Sequence, residues 1–306
     1  MSRASVATIV CAFAVAAAAA AQDRAQVAVR EGVARNIYIT ATGGDGAPVN
    51  DLSPDDVTVR EDGKTRDVLE VGPAGPLQVA LLVDDAGPGI QFIRTAVAEF
   101  IHILQNQAEI AIVSTAGQNS VVVDFTGDSG ALLAGTNRLA TRTTSGGYLL
   151  DAIQESARTL QRREAARPVI VVLALEGKEY SNVAAEKVLD AVRRSGATVF
   201  ALSVGKPTLK TMTTWNQRPT DSIHESLDET MARGTVLVEA PRRSGGRHEQ
   251  VLEVTGIPSR LAGVARELRD QLVVTYTRPP STKDVQRIDV SIKRRGVKLR
   301  APKHVS

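Results

Sequence analysis

Carboxylates close two of the most apolar segments of this chain. Leu81-Leu82-Val83 runs straight into Asp84-Asp85-Ala86-Gly87-Pro88-Gly89, and Leu173-Ala174-Leu175 into Glu176-Gly177. A third polar loop, Thr143-Thr144-Ser145-Gly146-Gly147-Tyr148, leads into Leu149-Leu150-Asp151. Oxygen ligands brought together in this way suit a hard divalent cation, and metal-assisted chemistry here would use Asp84, Asp85 and Glu176. The simpler role for Asp84 and Glu176 is to cap helix N-termini or to pair with a nearby arginine.

Other chemistries lack their residues. The four histidines, His102, His224, His248 and His304, are scattered without ligand spacing, so no zinc site is expected. No Gly-x-Ser-x-Gly nucleophile elbow occurs. Gly87-Pro88-Gly89 is not followed by Gly-Lys-Ser/Thr, and its proline removes a donor that a phosphate cradle would use. Lys293, Arg294, Arg295, Lys298, Arg300 and Lys303 could meet an anionic surface, but read first as the solvated face of an edge hairpin.

The elements that must position these residues alternate in type. Val79 to Val83, Ile110 to Val113, Val169 to Leu175 and Val199 to Val204 are continuous apolar runs, the mark of strands covered on both faces. Between them lie amphipathic helices. Ile93, Val97, Phe100, Ile101 and Leu104 share one face, as do Leu149, Ile153, Ala157 and Leu160, and Ala184, Val188, Ala191 and Val192. Ser120 to Phe125 reads as an antiparallel edge strand. Strand and helix in alternation predict an α/β fold with a doubly wound, mostly parallel sheet. Ligands bind such sheets at the carboxyl ends of the strands, where the polar loops lie.

The flanks read as β. Ile37, Ile39 and Ala41 alternate with polar residues, Val57-Thr-Val-Arg60 alternates again, and Asp62-Gly63 is a hairpin turn signal with Val68 to Val71 as the return strand. Gly72-Pro-Ala-Gly-Pro76 is the linker. After Lys206 the chain turns polar and interrupted as far as Gly246, around the single Trp215. Leu261, Val264, Ala265 and Leu268 then mark a last helix. Leu272 to Thr277, Gln286 to Lys293 and Val297 to Arg300 follow as strands, the last two a hairpin turning at Arg294-Arg295-Gly296. These C-terminal strands are expected to join the small N-terminal sheet, because chain ends tend to lie close together.

Arg3 and an apolar run from Val6 to Ala21, ending in Ala-x-Ala, read as a secretory signal cleaved after Ala21. Cys11, the only cysteine, lies within it, so the remaining chain has no thiol for disulfides, metal or catalysis. The expected division is signal 1–21, small β domain and linker 22–76, α/β domain 77–270 and C-terminal strands 271–306. With 37 basic and 34 acidic residues, the net charge of +3 is too balanced to predict a polyanion partner. Aromatics at 3% make stacking platforms for nucleic acid unexpected, and no membrane span is expected after the signal.

The layout resembles a von Willebrand factor A domain, and in particular the VWFA-related exported proteins common in Acidobacteria. Gly46-Ala-Pro-Val49, Asp51-Leu52 and Val57-Thr-Val-Arg-Glu-Asp-Gly63 carry the likeness in the N-terminal sheet. Ser244-Gly-Gly-Arg247 and Glu267-Leu-Arg-Asp-Gln-Leu-Val-Val-Thr-Tyr276 carry it near the other end. The resemblance implies a metal-ion-dependent adhesion site built from Asp-x-Ser-x-Ser, a threonine and an aspartate. Here Asp84 is kept, Ala86 and Pro88 stand at the serine positions, Tyr148 stands near the threonine position and Glu176 stands for the last aspartate. Thr143, Thr144 or Ser145 could restore a hydroxyl and Asp85 a carboxylate. The site is therefore expected to be degenerate, with no metal and no cofactor.

The leading expectation is a non-catalytic interaction module, periplasmic or secreted, that binds an unidentified protein partner on the rim at Asp84, Asp85, Ala86, Pro88, Thr144, Tyr148 and Glu176. Metal-dependent adhesion or metal-assisted hydrolysis through Asp84, Asp85 and Glu176 is one alternative. A structural envelope component with a vestigial rim is the other.

Overall fold

The computed structural model describes residues 33–86, 89–140, 146–205, 221–278 and 286–305. The stretch expected to be a signal, and Gly87, Pro88, Thr143, Thr144, Ser145 and Trp215, lie outside the described residues. Strand β1 (Val33–Thr42) is followed by β2 (Val57–Glu61), β3 (Lys64–Arg66) and β4 (Val68–Pro73). The α/β part then runs β5 (Leu77–Val83), α1 (Ile90–Ile103), β6 (Ala108–Ser114), β7 (Ser120–Thr126) and α2 (Ser129–Thr136). It continues with β8 (Gly146–Gly147), α3 (Leu149–Arg162), β9 (Pro168–Ala174), β10 (Lys178–Glu179), α4 (Ala185–Ser195) and β11 (Thr198–Val204). Last come α5 (Asp221–Ser244), β12 (His248–Val251), α6 (Ile257–Arg269), β13 (Leu272–Arg278), β14 (Gln286–Ile292), β15 (Lys298–Arg300) and β16 (His304–Val305).

The central sheet has six strands in the order β12-β11-β9-β5-β6-β7. All neighbours are parallel except β7, which is the antiparallel edge anticipated at Ser120 to Phe125. Chain order reverses between β5 and β9, so the crevice of a doubly wound sheet opens at their carboxyl ends. Each face of the sheet carries its own core. On one, Leu81, Val171 and Leu202 meet Ile93, Val97 and Phe100 of α1 and Leu261, Val264 and Leu268 of α6. On the other, Leu82, Val172 and Ala201 meet Ile153 and Leu160 of α3, Val188 of α4 and Val236 and Ala240 of α5. The continuous apolar runs are explained by this two-sided burial: Val169 to Ala174 are all buried.

Two four-stranded sheets, β15-β1-β13-β4 and β16-β14-β2-β3, complete the architecture. They enclose one shared core that includes Ile37, Ile39, Val57, Val59, Val274, Tyr276 and Ile288. The C-terminal strands do join the N-terminal ones: β13 pairs with β1, Ile37 opposite Val274, and β14 pairs with β2, Val59 opposite Val290. At the centre the buried Glu61 carboxylate accepts from Arg66 Nε at 3.1 Å, lies 3.2 Å from Arg278 Nε and receives the Tyr276 hydroxyl at 3.4 Å. One carboxylate thus ties β2 and β3 of one sheet to β13 of the other.

Four details differ from the sequence reading. The return strand of the Asp62-Gly63 turn is Lys64–Arg66, whereas Val68–Pro73 crosses over to pair with β13 in the other sheet. Gln286–Ile292 and Lys298–Arg300 are not a hairpin, because β14 pairs with β2 and β16 while β15 pairs with β1. The stretch read as interrupted contains the 24-residue helix α5, which holds Pro241 in its last turn. Beyond it β12 adds a sixth strand to the main sheet. The basic C-terminal stretch is partly neutralised within the chain: Arg294 binds Asp51 and Asp56, and Arg300 binds Glu267.

Candidate functional site

The two aspartates after β5 turn in opposite directions. Asp84 extends the parallel ladder by one bond, its N–H donating to Leu173 O at 2.9 Å. Its carboxylate then accepts the Leu175 N–H at 3.2 Å and the Ala86 N–H at 3.1 Å, so it stitches the end of β5 to the end of β9. Asp85 is buried and reaches the other way, accepting from Ser114 Oγ at 2.6 Å on β6 and from the Ala140 N–H at 3.3 Å. Burial pushes the Asp84 carboxyl above its ordinary pKa, against the pull of those N–H groups and of the Arg233 guanidinium.

The Gly-Gly loop approaches closely from the side. Gly146 and Gly147 form β8, which pairs in parallel with Lys178 and Glu179 of β10. Gly147 also bridges to Ala116 and Gly117. A Cβ at Gly147 would lie 2.0 Å from Thr115 O, and one at Gly146 would lie 2.3 Å from Lys178 O, so neither position admits a side chain. This fit delivers Tyr148 to the rim, where its ring faces Tyr180 with centroids 6.0 Å apart and planes tilted by 50°. The Tyr148 carbonyl is held by Asn119 Nδ2 at 2.9 Å.

Glu179 is a buried carboxylate that the sequence reading missed. Its Oε1 accepts the Ser181 N–H at 3.2 Å and the Leu150 N–H at 3.4 Å. Ser181 Oγ takes the next N–H of α3, from Asp151, at 3.0 Å. A negative group thereby receives the positive end of a helix. Glu179 Oε2 makes no hydrogen bond and has Arg233 Nε 3.9 Å away, an ion pair without a shared proton. Burial raises the Glu179 pKa, while Ser181 and Arg233 draw it back. Arg233, from α5, also donates through Nη1 to Gly177 O at 2.7 Å and through Nη2 to Leu175 O at 2.6 Å. Neither residue carried a motif; both lie where local spacing is uninformative, and only tertiary contact joins them.

Glu176 is exposed and leans over Gly205 at the end of β11, whose Cβ position would be 3.1 Å from Glu176 Oε2. The expected set is therefore dispersed: Asp84 points to β9, Asp85 to β6, Glu176 to β11 and Tyr148 to Tyr180. Among the described residues neither Asp84 nor Glu176 caps a helix; at the start of α3 that role falls to Glu179 and Ser181. Asp84 Oδ1 and Oδ2 each accept one main-chain N–H, and Ala86, at one of the expected serine positions, has no side-chain oxygen to offer a cation. Among the described residues, no group of three or more His, Cys, Asp or Glu side chains is placed to hold a metal ion. Among them, too, no helix is long and apolar enough to cross a membrane. His102 is exposed, and His248 Nε2 lies 2.8 Å from Ser203 Oγ across β11 and β12.

A family model described as the von Willebrand factor type A domain matches residues 87–177. No curated protein matches the chain. Among solved structures it is similar to the conserved hypothetical protein BatB from Bacteroides thetaiotaomicron, at 15% identity and TM-score 0.42, over 64% of this chain and 97% of that one. It is similar to a von Willebrand factor type A protein from Catenulispora acidiphila at 9% identity and TM-score 0.46, over 90% and 74% of the two chains. Proximal thread matrix protein 1 from the mussel byssus gives 13% identity and TM-score 0.47 over 73% of this chain, which spans 50% of that protein. The matched segment runs from the loop after β5 to the loop after β9, through the switch point of the six-stranded sheet, and that sheet is a von Willebrand factor type A-like fold.

Proposed function

We propose that this chain is a non-catalytic, extracytoplasmic interaction module that takes a protein partner, without a cation, on the loops around Asp84, Ala86, Tyr148 and Glu176; of the other rim positions expected from the sequence, Asp85 is buried beneath that surface and Pro88 and Thr144 lie outside the described residues. The observation that carries this reading is the Tyr148–Tyr180 pair. Two aromatic rings stand at the carboxyl ends of the sheet, set there by the close Gly146-Gly147 approach and flanked by exposed Glu176 and Lys178. Aromatic anchors inside a polar rim are the pattern that concentrates binding energy at protein interfaces. Independence from a cation is supported by Arg233, which already supplies positive charge beside Asp84 and Glu179. The signal pattern at 1–21 supports export to the periplasm or beyond, and removal of that segment would leave 22–76, 77–270 and 271–306 as the working parts.

The test is capture of partners from the exported fraction by crosslinking, with wild type, Tyr148→Ala and Tyr180→Ala compared in chelator and in Mg²⁺. A species captured by wild type in both buffers and lost in either tyrosine variant supports the reading. Capture only with Mg²⁺, or capture equal in all three proteins, overturns it.

A further inference from the structure

Residues 175–179, which leave β9 and end in β10, turn an oxygen at every second position towards one point. The Leu175 carbonyl accepts from Arg233 Nη2 at 2.6 Å and the Gly177 carbonyl from Nη1 at 2.7 Å, while Glu179 Oε2 stands 3.9 Å from Nε. Each guanidinium nitrogen therefore faces its own oxygen, two of them neutral and one charged. The oxygens come from five consecutive residues; the cation comes from α5, more than fifty residues further along the chain. Both partners are withdrawn from water, the Glu179 side chain being 1% exposed and that of Arg233 13%. Glu179 Oε2 makes no hydrogen bond, so removing Arg233 would leave a buried carboxylate oxygen and two carbonyls facing a gap.

Three converging oxygens on one short segment make a receptor, with Arg233 as the ligand tied to it. We propose that segment 175–179 is a guanidinium-binding site, filled by the chain's own Arg233 and able to take a free alkylguanidinium when that side chain is cut away. This deepens the reading of the rim as cation-independent and rests on it: the positive charge that a divalent ion would bring is built into the chain. Shape decides the ligand class. A guanidinium is flat, permanently charged and carries N–H donors along all its edges. An ammonium directs its donors from a single atom and does not span oxygens set around a fork. A hard divalent cation takes about six to eight oxygens, whereas this segment supplies three, only one of them anionic. The captive charge also reaches beyond its cage, drawing the carboxyls of Asp84 and Glu179 down against their burial. It fixes the stretch that carries exposed Glu176 and Lys178 and runs into Tyr180, which makes Arg233 a positioning residue for the rim.

The experiment is thermal unfolding of the full chain, wild type and Arg233→Ala, in the chlorides of ethylguanidinium, ethylammonium, calcium and sodium at matched ionic strength. Arg233→Ala is expected to unfold at a lower temperature than wild type. Ethylguanidinium at about ten times its dissociation constant should then raise the variant's midpoint by about 4 °C. Wild type, whose site is filled, should show no such rise, and ethylammonium and calcium should act on the variant as sodium does. Rescue by calcium or ethylammonium, or none by ethylguanidinium, overturns the proposal. A second measurement needs no variant: heteronuclear NMR of the arginine side chains in wild type. Separate Nη1 and Nη2 resonances for Arg233, from rotation held by the two carbonyls, support the site; one averaged resonance, as for a freely rotating side chain, overturns it. Neither readout involves the partner taken on the rim, so this proposal and the reading of the rim fail separately.

Discussion

Arg233 lies 3.9 Å from the Glu179 carboxylate while its two Nη groups hold the carbonyls of Leu175 and Gly177. A single guanidinium from α5 therefore braces the loop after β9 and compensates a carboxylate whose side chain is 1% exposed. Charge-assisted hydrogen bonds of this kind contribute about 1.5–3 kcal/mol each, and orphaning a buried carboxylate adds to the loss. Arg233→Met is expected to lower the unfolding free energy by about 3 kcal/mol, read from the urea midpoint at unchanged m-value. A loss under about 1 kcal/mol would show that the brace is ornamental.

Burial raises the pKa of Glu179 in the folded chain, and that of Asp84 likewise. The folded state then binds a proton more tightly than the unfolded state. The stabilisation is full below the ordinary carboxylate value and is lost as pH rises through the folded value. Glu179→Gln is neutral at every pH and keeps an oxygen for the Leu150 and Ser181 N–H groups. Its stability relative to wild type should therefore improve steadily between about pH 4 and pH 7. A difference that is flat with pH, or slopes the other way, contradicts the assignment.

Gly147 and Gly44 make a controlled pair. A Cβ at Gly147 meets Thr115 O at 2.0 Å, whereas one at Gly44 meets nothing within 4 Å. Gly147→Ala should cost about 3 kcal/mol as backbone is forced apart, and should displace Tyr148 with it. Gly44→Ala should be neutral or slightly stabilising through reduced chain entropy in the unfolded state. Thermal unfolding of both variants, with near-ultraviolet dichroism for the tyrosines, separates the two outcomes.

Arg167 joins the small β part to the α/β part. It is buried and donates to Gly75 O at 2.7 Å and to Gln271 Oε1 at 2.8 Å, with a further bond to Leu268 O. Its guanidinium also lies 5.3 Å from the centre of the Tyr38 ring, whose hydroxyl donates to Ala166 O at 2.9 Å. Burial lowers its pKa to about 10, yet it stays protonated at neutral pH. Arg167→Met should cost about 3–5 kcal/mol, and Arg167→Lys should recover little of it, because an ammonium lacks the fork that spans three acceptors. Calorimetry of the three proteins decides, and full rescue by lysine would sink the geometric account.

The sheet was legible because its strands are buried on both faces: Val79 to Val83 and Val169 to Leu175 carry their identity in unbroken apolar runs. Alternation revealed β1 and β2 for the complementary reason, one buried face each. What stayed hidden was partnership. Lys298–Arg300 looks like the return of a hairpin from Gln286–Ile292, and only the pairing with Thr40, Ala41 and Thr42 places it in the other sheet. Helix α5 was obscured by Gly234 and Pro241, although Val236, Leu237 and Ala240 are buried on one face. At the rim, Asp84 and Tyr148 were found from the loops that carry them. Glu179 and Arg233 were not, since an arginine more than fifty residues away leaves no local trace in the sequence around a glutamate.

Interleaving the chain's two flanks in one pair of sheets has a consequence for the order of assembly. Among the described strands Ile39 pairs with Leu272, and Val59 with Val290 and Arg66. A chain that emerges from its amino end must hold β1 and β2 without most of their neighbours until the entire α/β part has appeared. The von Willebrand factor type A-like part can close on its own nearest-neighbour contacts first, and the sandwich then forms as a clasp. Until that moment β1 offers two bare hydrogen-bonding edges, which makes the interval before β13 arrives the period of greatest exposure to aggregation.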